Sequence, residues 1–309
     1  MGPLSRRLSI LVYHRVISEP DPLVPDQVCA REFDWQLKVL RHWFRVLPLS
    51  EAVVRLRNGT LPMRAACVTF DDGYADNVTV ALPILKKWGM PATFFLATGY
   101  IDGGRMWNDT VIETVRRAPG ATLDARPVGL DSLDIATLDL RRRAIGRLLA
   151  ALKYLPMEER KRHADELSAA ANCGLPTGLM MTTEEVRQLY ESGMEIGAHT
   201  VNHPILAKLD PYLARIEIRD SKSRLEAITG SSVRLFAYPN GKPGLDYRQE
   251  HVELVKELGF EAAVSTAWGV AHAGSDPYQL PRFTPWDRTP GSFLLRLMHN
   301  TFRTGAERV

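Results

Sequence analysis

Ala65-Ala66-Cys67-Val68-Thr69-Phe70-Asp71-Asp72-Gly73-Tyr74 is the stretch around which the chain is organised. Residues 65–70 form a short, mostly apolar run typical of a buried strand, and the run ends abruptly in two adjacent carboxylates. Like charges this close raise each other's pKa and oppose burial unless a bound cation offsets the repulsion. Because neighbouring side chains at a strand end point in different directions, one aspartate can face a metal while the other faces a substrate or a water. An ordinary Asp-Asp-Gly turn is the alternative.

The strand at 65–70 leads through a helical stretch that stops at Gly89, and a second strand follows Pro91, which gives a β-α-β unit and implies a parallel sheet. Helices are predicted at 31–43, 183–192, 211–229 and 249–258. Strands are predicted at 8–13, 65–70, 92–97, 194–198, 233–238, 260–265 and 278–283, with a doubtful extended piece at 44–47. About seven strands alternating with helices favour an incomplete (β/α) barrel over an open doubly wound sheet.

Residues 101–182 interrupt this alternation with Arg- and Glu-rich helical sequence, including 139–154 and 157–172, and contain no convincing strand. We interpret this segment as a helical insertion. The sequence therefore predicts one α/β domain over residues 1–309, a distorted, incomplete barrel of parallel strands with a helical insertion at about 101–182.

Composition excludes some classes of partner and of location. The 309 residues carry 39 basic and 36 acidic side chains, a net charge of +3, so we expect no nucleic-acid partner. Cys29, Cys67 and Cys173 have no metal-binding spacing, and their odd number fits a reducing compartment. The apolar run at 8–13 is too short for a signal peptide, and no run reaches transmembrane length. We expect a cytoplasmic protein, with peripheral membrane contact left open.

Two histidines complete a candidate metal site. His199 and His203 lie four residues apart, just beyond the predicted strand 194–198, although each alone would more often be structural. With Asp72 they supply two imidazoles and one carboxylate, the ligand set of an open catalytic zinc site. All three residues follow the carboxyl ends of predicted strands, the edge at which barrel active sites assemble.

These residues carry a family resemblance. Thr69-Phe70-Asp71-Asp72-Gly73-Tyr74 and His199-Thr200-Val201-Asn202-His203 resemble the first two motifs of the polysaccharide deacetylase, or NodB-homology, family of carbohydrate esterases. The segments 11–16 and 236–241 are similar to parts of a bacterial subgroup that has an early Tyr-His motif. The resemblance covers most of the predicted barrel and leaves out the insertion.

The resemblance implies a distorted (β/α) barrel and removal of acetyl groups from N-acetylated sugars or xylan. Asp72, His199 and His203 would hold a divalent metal, most simply zinc, and Asp71 would be the general base that activates a water. The segment Tyr238-Pro239-Asn240 would bind substrate, with the Asn240 amide stabilising the oxyanion. A plain turn is compatible with the same letters.

Two departures from the family pattern concern positioning and acid catalysis. The family's third motif commonly has an arginine two residues before the proline, where this chain has Ala237; Arg282 could orient Asp71 instead, unless it is a surface arginine. The late Leu-x-His motif is matched in letters by residues 297–299, but these fall in a predicted helix. His14 is therefore the candidate general acid, with a buried structural histidine as the alternative and His272 as a weaker candidate.

The sequence predicts a metal-dependent hydrolase that removes N-acetyl groups from an amino sugar in a polysaccharide or in its lipid- or nucleotide-linked precursor. Two alternatives remain at this stage: hydrolysis of a small non-sugar amide on the same fold, and a carbohydrate-binding protein without catalysis. The C-terminal helix, with apolar residues from Phe293 to Phe302 beside Arg296 and Arg303, could contact a membrane, although such a helix more often closes a barrel.

Overall fold

The computed structural model describes residues 6–301 and 306–309, and its contacts divide the chain into two compact units. The second unit consists of Pro20–Gln27 and Gly103–Met180, and the first consists of the other described residues. The helical insertion predicted at about 101–182 corresponds closely to the larger piece of the second unit. Whether the whole chain behaves as one domain stays a prediction.

In chain order, the strands are β1 (Leu8–Tyr13), β2 (Val16–Ile17), β3 (Val28–Cys29), β4 (Arg45–Val46), β5 (Ala65–Phe70), β6 (Thr93–Leu96), β7 (Thr122–Leu123), β8 (Leu133–Asp134), β9 (Glu195–Ala198), β10 (Leu235–Ala237), β11 (Ala262–Trp268) and β12 (Leu280–Arg282). The helices are α1 (Ala30–Trp43), α2 (Leu49–Arg57), α3 (Leu82–Trp88), α4 (Trp107–Arg117), α5 (Leu138–Leu152), α6 (Met157–Ala171), α7 (Thr183–Glu191), α8 (Pro211–Thr229), α9 (Gln249–Glu257) and α10 (Pro290–Asn300). A π-helical turn, Asn77–Ala81, precedes α3.

The first unit is a nearly closed barrel of parallel strands in the order β1-β5-β6-β9-β10-β11-β12, flanked by helices. The short β4 pairs with the start of β5 outside this path. Just beyond β12, an isolated bridge contacts β1, where Val12 N donates to Phe283 O at 3.0 Å and Phe283 N donates to Ile10 O at 3.0 Å. The predicted α/β barrel is confirmed.

Alternate residues of the strands pack into two different apolar clusters, which explains why the strands read as continuous apolar runs. Ile10, Cys67 and Phe95 belong to a cluster that draws side chains from several strands and from α2. The intervening residues, such as Leu11 and Phe94, pack in the layer between strands and helices. Burial on both faces leaves the strand ends as the places where polar side chains can be exposed to a ligand.

The second unit has its own apolar core, formed mainly by α4, α5 and α6. It also contains β7 and β8, which pair antiparallel. The expectation that 101–182 holds no strand is therefore wrong in this detail, because two-residue strands are too short to produce an alternating pattern.

No helix within the described parts of the chain is long and apolar enough to cross a bilayer. The C-terminal helix α10 buries Phe293, Leu297 and Asn300 and exposes Leu295. Phe302 and Arg303, which the membrane hypothesis also invoked, lie outside the described residues. Peripheral membrane contact stays a prediction.

Candidate active site

The carboxyl ends of β5 and β9 bring three predicted ligands together. Asp72 follows β5, whereas His199 and His203 follow β9, and one ligand atom from each residue lies within 4.8 Å of the others. Asp72 Oδ1 is 3.6 Å from His199 Nε2 and 3.4 Å from His203 Nε2. The three side chains are therefore close enough together for one cation to contact all of them.

Asp72 is held in a conformation that few non-glycine residues adopt, with φ at +77°. Its side chain is buried, and its Oδ1 atom has no hydrogen-bond partner. Burial alone would raise the pKa of Asp72, but the imidazoles of His199 and His203 and the charge of His14 hold this pKa well below its ordinary value. A buried, ionised oxygen that faces two ring nitrogens fits a divalent cation, and the mixed nitrogen and oxygen donors suit zinc.

The His199 ring is oriented by a hydrogen bond at Nδ1, the ring nitrogen that does not face Asp72. Its Nδ1 atom lies 2.7 Å from the backbone oxygen of Ala237 at the end of β10. A carbonyl can only accept, so Nδ1 carries the hydrogen and, in the neutral ring, Nε2 keeps a lone pair directed at Asp72. A second partner of this kind sets the tautomer of metal-binding histidines in general.

The loop that carries His203 has a strained backbone. Thr200 has φ at +64° and His203 has φ at +53°, both in the left-handed region. The Thr200 hydroxyl donates to His199 O at 2.6 Å and accepts from His203 N at 3.1 Å. These bonds hold a conformation that would otherwise cost roughly 1–3 kcal/mol per residue.

Glu217 on α8 holds the same loop from outside, and sequence reasoning missed it. Its carboxylate accepts from Val201 N at 2.9 Å, from Asn202 N at 2.8 Å and from Asn202 Nδ2 at 2.7 Å. Glu217 is mostly buried. A glutamate inside an amphipathic helix carries no sequence signal of this role, since its partners are backbone amides of a distant loop.

Asp71, the proposed base, forms a buried ion pair with Arg282. The guanidinium of Arg282 donates from Nη1 to Asp71 Oδ1 and from Nη2 to Asp71 Oδ2, both at 2.7 Å. Arg282 also donates from Nε to Ser265 O at 3.0 Å, and its side chain is fully buried. The surface alternative for Arg282 is therefore wrong. Burial alone would raise the pKa of Asp71, but the charges of Arg282 and His199 keep this pKa below its ordinary value.

His14 follows β1 and is exposed, so the alternative of a buried structural histidine is wrong. Because β1 and β5 pair in parallel with Tyr13 opposite Phe70, His14 lies at the same edge of the barrel as the aspartates that follow β5. Asn77 Nδ2 donates to His14 O at 2.9 Å. Asp76 accepts from Val16 N at 3.2 Å.

Asp76 also accepts from Arg15 Nε at 2.7 Å. Asp76 lies just before the π-helical turn and Asn77 begins it, four to six residues beyond the paired aspartates. Neither residue figured in the sequence-based site. Their contacts anchor the backbone on both sides of His14, so the loop after β1 has a defined position next to the loop after β5.

The third segment, Tyr238-Pro239-Asn240, follows β10. The Tyr238 ring is fully buried and stacks on Tyr247 with centroids 3.9 Å apart, so this side chain contributes to packing. Asn240 has φ at +58°, and its carbonyl accepts from the Thr266 hydroxyl at 2.6 Å. A Cβ atom at Gly241 would lie 2.9 Å from Thr266 N, which explains the glycine. The turn is thus fixed against β11, while its contact with substrate stays a prediction.

The two other histidines considered as acids lie elsewhere. His299 is exposed in the last turn of α10, as its helical context predicted. His272 Nδ1 accepts from Gly274 N at 3.1 Å, and the adjacent Ala271 pairs with Leu8, the first residue of β1. His272 therefore lies toward the amino-terminal edge of the barrel, away from the candidate site.

A family model described as polysaccharide deacetylase matches residues 58–128 and 151–263, more than half of the chain. YxkH of Bacillus subtilis (strain 168), whose name provisionally assigns it to polysaccharide deacetylases, is 24% identical over 278 residues, covering 89% of this chain and 70% of that protein. The poly-beta-1,6-N-acetyl-D-glucosamine N-deacetylase of Staphylococcus aureus (strain MSSA476) is 36% identical over 75 residues, covering 24% of this chain and 26% of that protein.

The fold is similar to that of a solved structure, Streptococcus pyogenes deacetylase PplD in complex with acetate. The two chains align with a TM-score of 0.64 and 22% sequence identity, covering 95% of this chain and 99% of that chain. At this level of identity the likeness establishes the fold. The subgroup with an early Tyr-His motif stays a prediction.

Proposed function

Because the chain belongs to the polysaccharide deacetylase family, we propose that it is a metal-dependent hydrolase that removes N-acetyl groups from an amino sugar. The substrate would be a polysaccharide or its lipid- or nucleotide-linked precursor. The observation that carries the proposal is the group Asp72, His199 and His203 beside a second aspartate that is bound by Arg282 instead.

Asp72 and Asp71 would have different roles in the reaction. Asp72, His199 and His203 would hold the cation, and a divalent ion bound there would polarise the amide carbonyl and lower the pKa of a water. Asp71 is kept ionised by Arg282 and can accept the proton of the attacking water. The bidentate pair also fixes the direction of the Asp71 carboxylate, which general-base catalysis requires.

Two further residues would complete the reaction. His14, held through its backbone by Asn77, can protonate the leaving amine when the carbon–nitrogen bond breaks. The backbone amide of Asn240, in a turn fixed by Thr266, would donate to the carbonyl oxygen as negative charge develops there. The loops after β1, β5, β9 and β10 would then each contribute one part of the site.

An acetylated glycan is the favoured substrate because the name of the similar Staphylococcus aureus enzyme specifies a polymer of N-acetylglucosamine. That alignment spans about a quarter of either protein, so the polymer itself is part of the proposal. A small non-sugar amide and a non-catalytic binding role are outcomes that the experiment below separates.

Acetate release from N-acetylglucosamine oligomers, with and without a chelator, tests the function. We expect release that the chelator abolishes and zinc restores. The Asp71→Asn variant should retain zinc and lose turnover by a factor of about 10² or more, whereas His199→Ala should lose both. Circular dichroism and metal analysis of each variant control for folding. Normal turnover in Asp71→Asn would remove the proposed base.

Release from small amides alone would support the non-sugar alternative. Glycan binding without any release under zinc-loaded conditions would support the non-catalytic alternative.

A further inference from the structure

The loop that joins the two candidate histidine ligands, residues 199–203, does not form a helix, and we call it the metal loop. Pro204 follows it, and a proline disfavours the right-handed helical conformation in the residue before it; His203 has φ at +53° instead. Proline also lacks the amide hydrogen that would bond to Thr200 O in a helix. The backbone oxygens of the metal loop therefore need donors from elsewhere in the fold.

Three of these oxygens accept from the loop after β6, residues 97–100, which we call the β6 loop. Successive residues of the β6 loop donate to successive residues of the metal loop: Thr98 N to Thr200 O at 3.1 Å, Gly99 N to Val201 O at 2.8 Å, and the Tyr100 hydroxyl to Asn202 O at 3.0 Å. His199 N also donates to Leu96 O at 3.1 Å. The pairing of β6 with β9 thus continues beyond both strands and into the metal loop.

Gly99 lies where the two loops come closest. A Cβ atom at this position would be 2.8 Å from Val201 O and 2.8 Å from Asn202 Oδ1. Only glycine permits so close an approach, and a larger residue would push the loops apart. The Asn202 side chain is itself held, because its Nδ2 atom donates to Glu217 on α8 at 2.7 Å. The metal loop is therefore held between the β6 loop and α8.

The β6 loop also contacts the other side of the candidate metal site. Ala97 N donates to Asp72 O at 3.1 Å. In the sheet, β6 lies between β5, which precedes Asp72, and β9, which precedes the histidines. The β6 loop thus binds the backbone of the carboxylate ligand as well as that of the metal loop, so it fixes the separation between them.

His203 depends on these contacts more than His199 does. His199 directly follows β9, and Ala237 O orients its ring. His203 lies four residues further on, in a loop whose left-handed conformations at Thr200 and His203 are unfavourable by themselves. A displacement of the metal loop would directly change the distance of 3.4 Å between His203 Nε2 and Asp72 Oδ1.

We propose that Gly99 and Tyr100 are positioning residues of the metal site, which set the distance of His203 from Asp72 and thereby the affinity and geometry of cation binding. The inference rests on the metal site of the proposed function and does not depend on which acetylated compound is hydrolysed. A purely structural role would change stability alone, whereas a positioning role also changes how the cation is bound.

Competition for zinc with a metal-binding dye, and the visible absorption spectrum of the Co²⁺-loaded protein, test the inference without any turnover. Gly99→Ala should lower zinc affinity about 10- to 100-fold and alter the Co²⁺ spectrum, because the added methyl group displaces the metal loop. Tyr100→Phe removes one hydrogen bond and should lower the affinity by about tenfold or less. This milder variant decides the question if Gly99→Ala does not fold.

Gly89→Ala is the matched control. Gly89 has φ at +59° directly after α3, and a Cβ atom there would have no described residue within 4 Å besides its neighbours in the chain. Alanine is strained in this left-handed conformation. We therefore expect lower stability in urea denaturation, with the zinc affinity and the Co²⁺ spectrum of the wild type.

Wild-type zinc affinity in Gly99→Ala would overturn the role of Gly99, and wild-type affinity in Tyr100→Phe would overturn that of Tyr100. An equal loss of affinity in Gly89→Ala would also overturn the proposal, since the effect would then follow from general destabilisation. A wild-type protein that binds neither ion would refute the metal site and this inference with it. Absence of acetate release from a wild type that binds zinc would refute the proposed function alone.

Discussion

Two carboxylates at opposite edges of the barrel differ in how their oxygens are used. Glu195 begins β9 at the amino-terminal edge and accepts from Leu49 N at 2.7 Å and from Thr93 Oγ1 at 2.7 Å. The amide and hydroxyl of Ser50 donate to it as well. Asp72, at the carboxyl-terminal edge, has a buried oxygen with no hydrogen-bond partner and two imidazoles 3.4 and 3.6 Å away.

The difference separates a structural acid from a candidate ligand. Glu195 satisfies the free amides at the start of α2 and so joins that helix to the barrel. Asp72 leaves an acceptor unused at a cost that a folded protein tolerates when a ligand takes the place of the missing donor. The oxygens of the half-buried Glu195 are used by protein donors, whereas Oδ1 of the buried Asp72 is not, and this contrast supports Asp72 as the candidate ligand.

The largest effect is expected from a substitution of Asp72, the carboxylate with an oxygen that no protein donor contacts. Asp72→Asn replaces a charged ligand by an amide, so we expect zinc affinity to fall more than about 100-fold, beyond what changes outside the ligand set cause. Competition with a zinc-binding dye measures the affinity. Zinc affinity equal to that of the wild type would show that Asp72 is not a ligand.

The second-largest effect is expected from breaking the buried ion pair between Arg282 and Asp71 at the carboxyl-terminal edge of the barrel. Arg282→Met leaves Asp71 without its partner, so we expect a loss of about 3–5 kcal/mol in the free energy of unfolding. The double variant Asp71→Asn with Arg282→Met should recover part of this loss, because no buried charge remains unpaired. Urea denaturation gives the values, and Arg234→Met, at an exposed arginine of the same barrel, is the control. Additive losses would contradict the coupling.

Glu217 tests whether a saturated carboxylate can serve the metal indirectly. Glu217→Gln removes the charge that holds Val201 N and Asn202 N, so we expect zinc affinity to fall roughly 10- to 100-fold. Asp220→Asn, at a half-exposed carboxylate on the same helix that pairs with Arg219, should leave the affinity unchanged. A normal affinity in Glu217→Gln would mean that the loop keeps its conformation without this carboxylate.

Glu195→Gln tests the structural role of the carboxylate at the amino-terminal edge of the barrel. An amide cannot accept all the bonds that the carboxylate accepts, and we expect a loss of about 1–3 kcal/mol in stability with zinc affinity and turnover unchanged. Glu191→Gln, at an exposed glutamate in α7, is the matched control for denaturation. A change in zinc affinity would break the distinction between the two edges.

The smallest effect concerns His251, a buried group at the start of α9. Its Nδ1 atom accepts from Arg248 N at 3.0 Å, and burial is the main reason that its pKa lies below the ordinary value, while the charges of Glu250 and Arg248 act in opposite directions. As pH falls below about 6.5, the unfolded chain binds a proton that the folded protein does not, so stability decreases. His251→Gln keeps a side chain suited to this position of a helix and does not titrate.

We therefore expect the wild type to lose about 1 kcal/mol more than His251→Gln between pH 7.5 and pH 5.5. Urea denaturation at the two pH values measures the difference. Identical pH dependence in the two proteins would show that His251 is already charged when folded or stays neutral in both states.

Local patterns predicted the main strands and helices well. β1 and β5 have the predicted bounds, and so does α8, because continuous apolar runs and helical spacing are properties of neighbouring residues. α2 was missed although its buried residues Leu49, Ala52, Val53 and Leu56 recur at helical spacing; what the sequence could not show is that Glu195, far away in the chain, accepts from its first amides. The short pairs β2–β3 and β7–β8 were missed because two residues cannot show a period.

The grouping of Asp72, His199 and His203 was predictable because side chains of distinctive chemistry follow strand ends, where a parallel barrel brings them together. The contacts that orient these side chains could not be predicted from the sequence. Ala237 orients His199 and Ser265 orients Arg282 through backbone oxygens, which every residue has, so no letter marks these roles. Asp76 and Asn77 stood beside the paired aspartates in the sequence, and their hydrogen-bonding side chains were the available signal.

The bidentate ion pair between Arg282 and Asp71 has a consequence for how such proteins are classified. The guanidinium of Arg282 reaches the carboxylate from β12, while Ala237 stands two residues before Pro239, where the family pattern commonly has an arginine. A sequence comparison that examines only the position of Ala237 would conclude that the arginine is missing and that the protein is inactive. In this chain the aspartate still has a bidentate guanidinium partner, supplied by β12, so the groups around such an aspartate are better judged from its three-dimensional neighbours than from one position in the sequence.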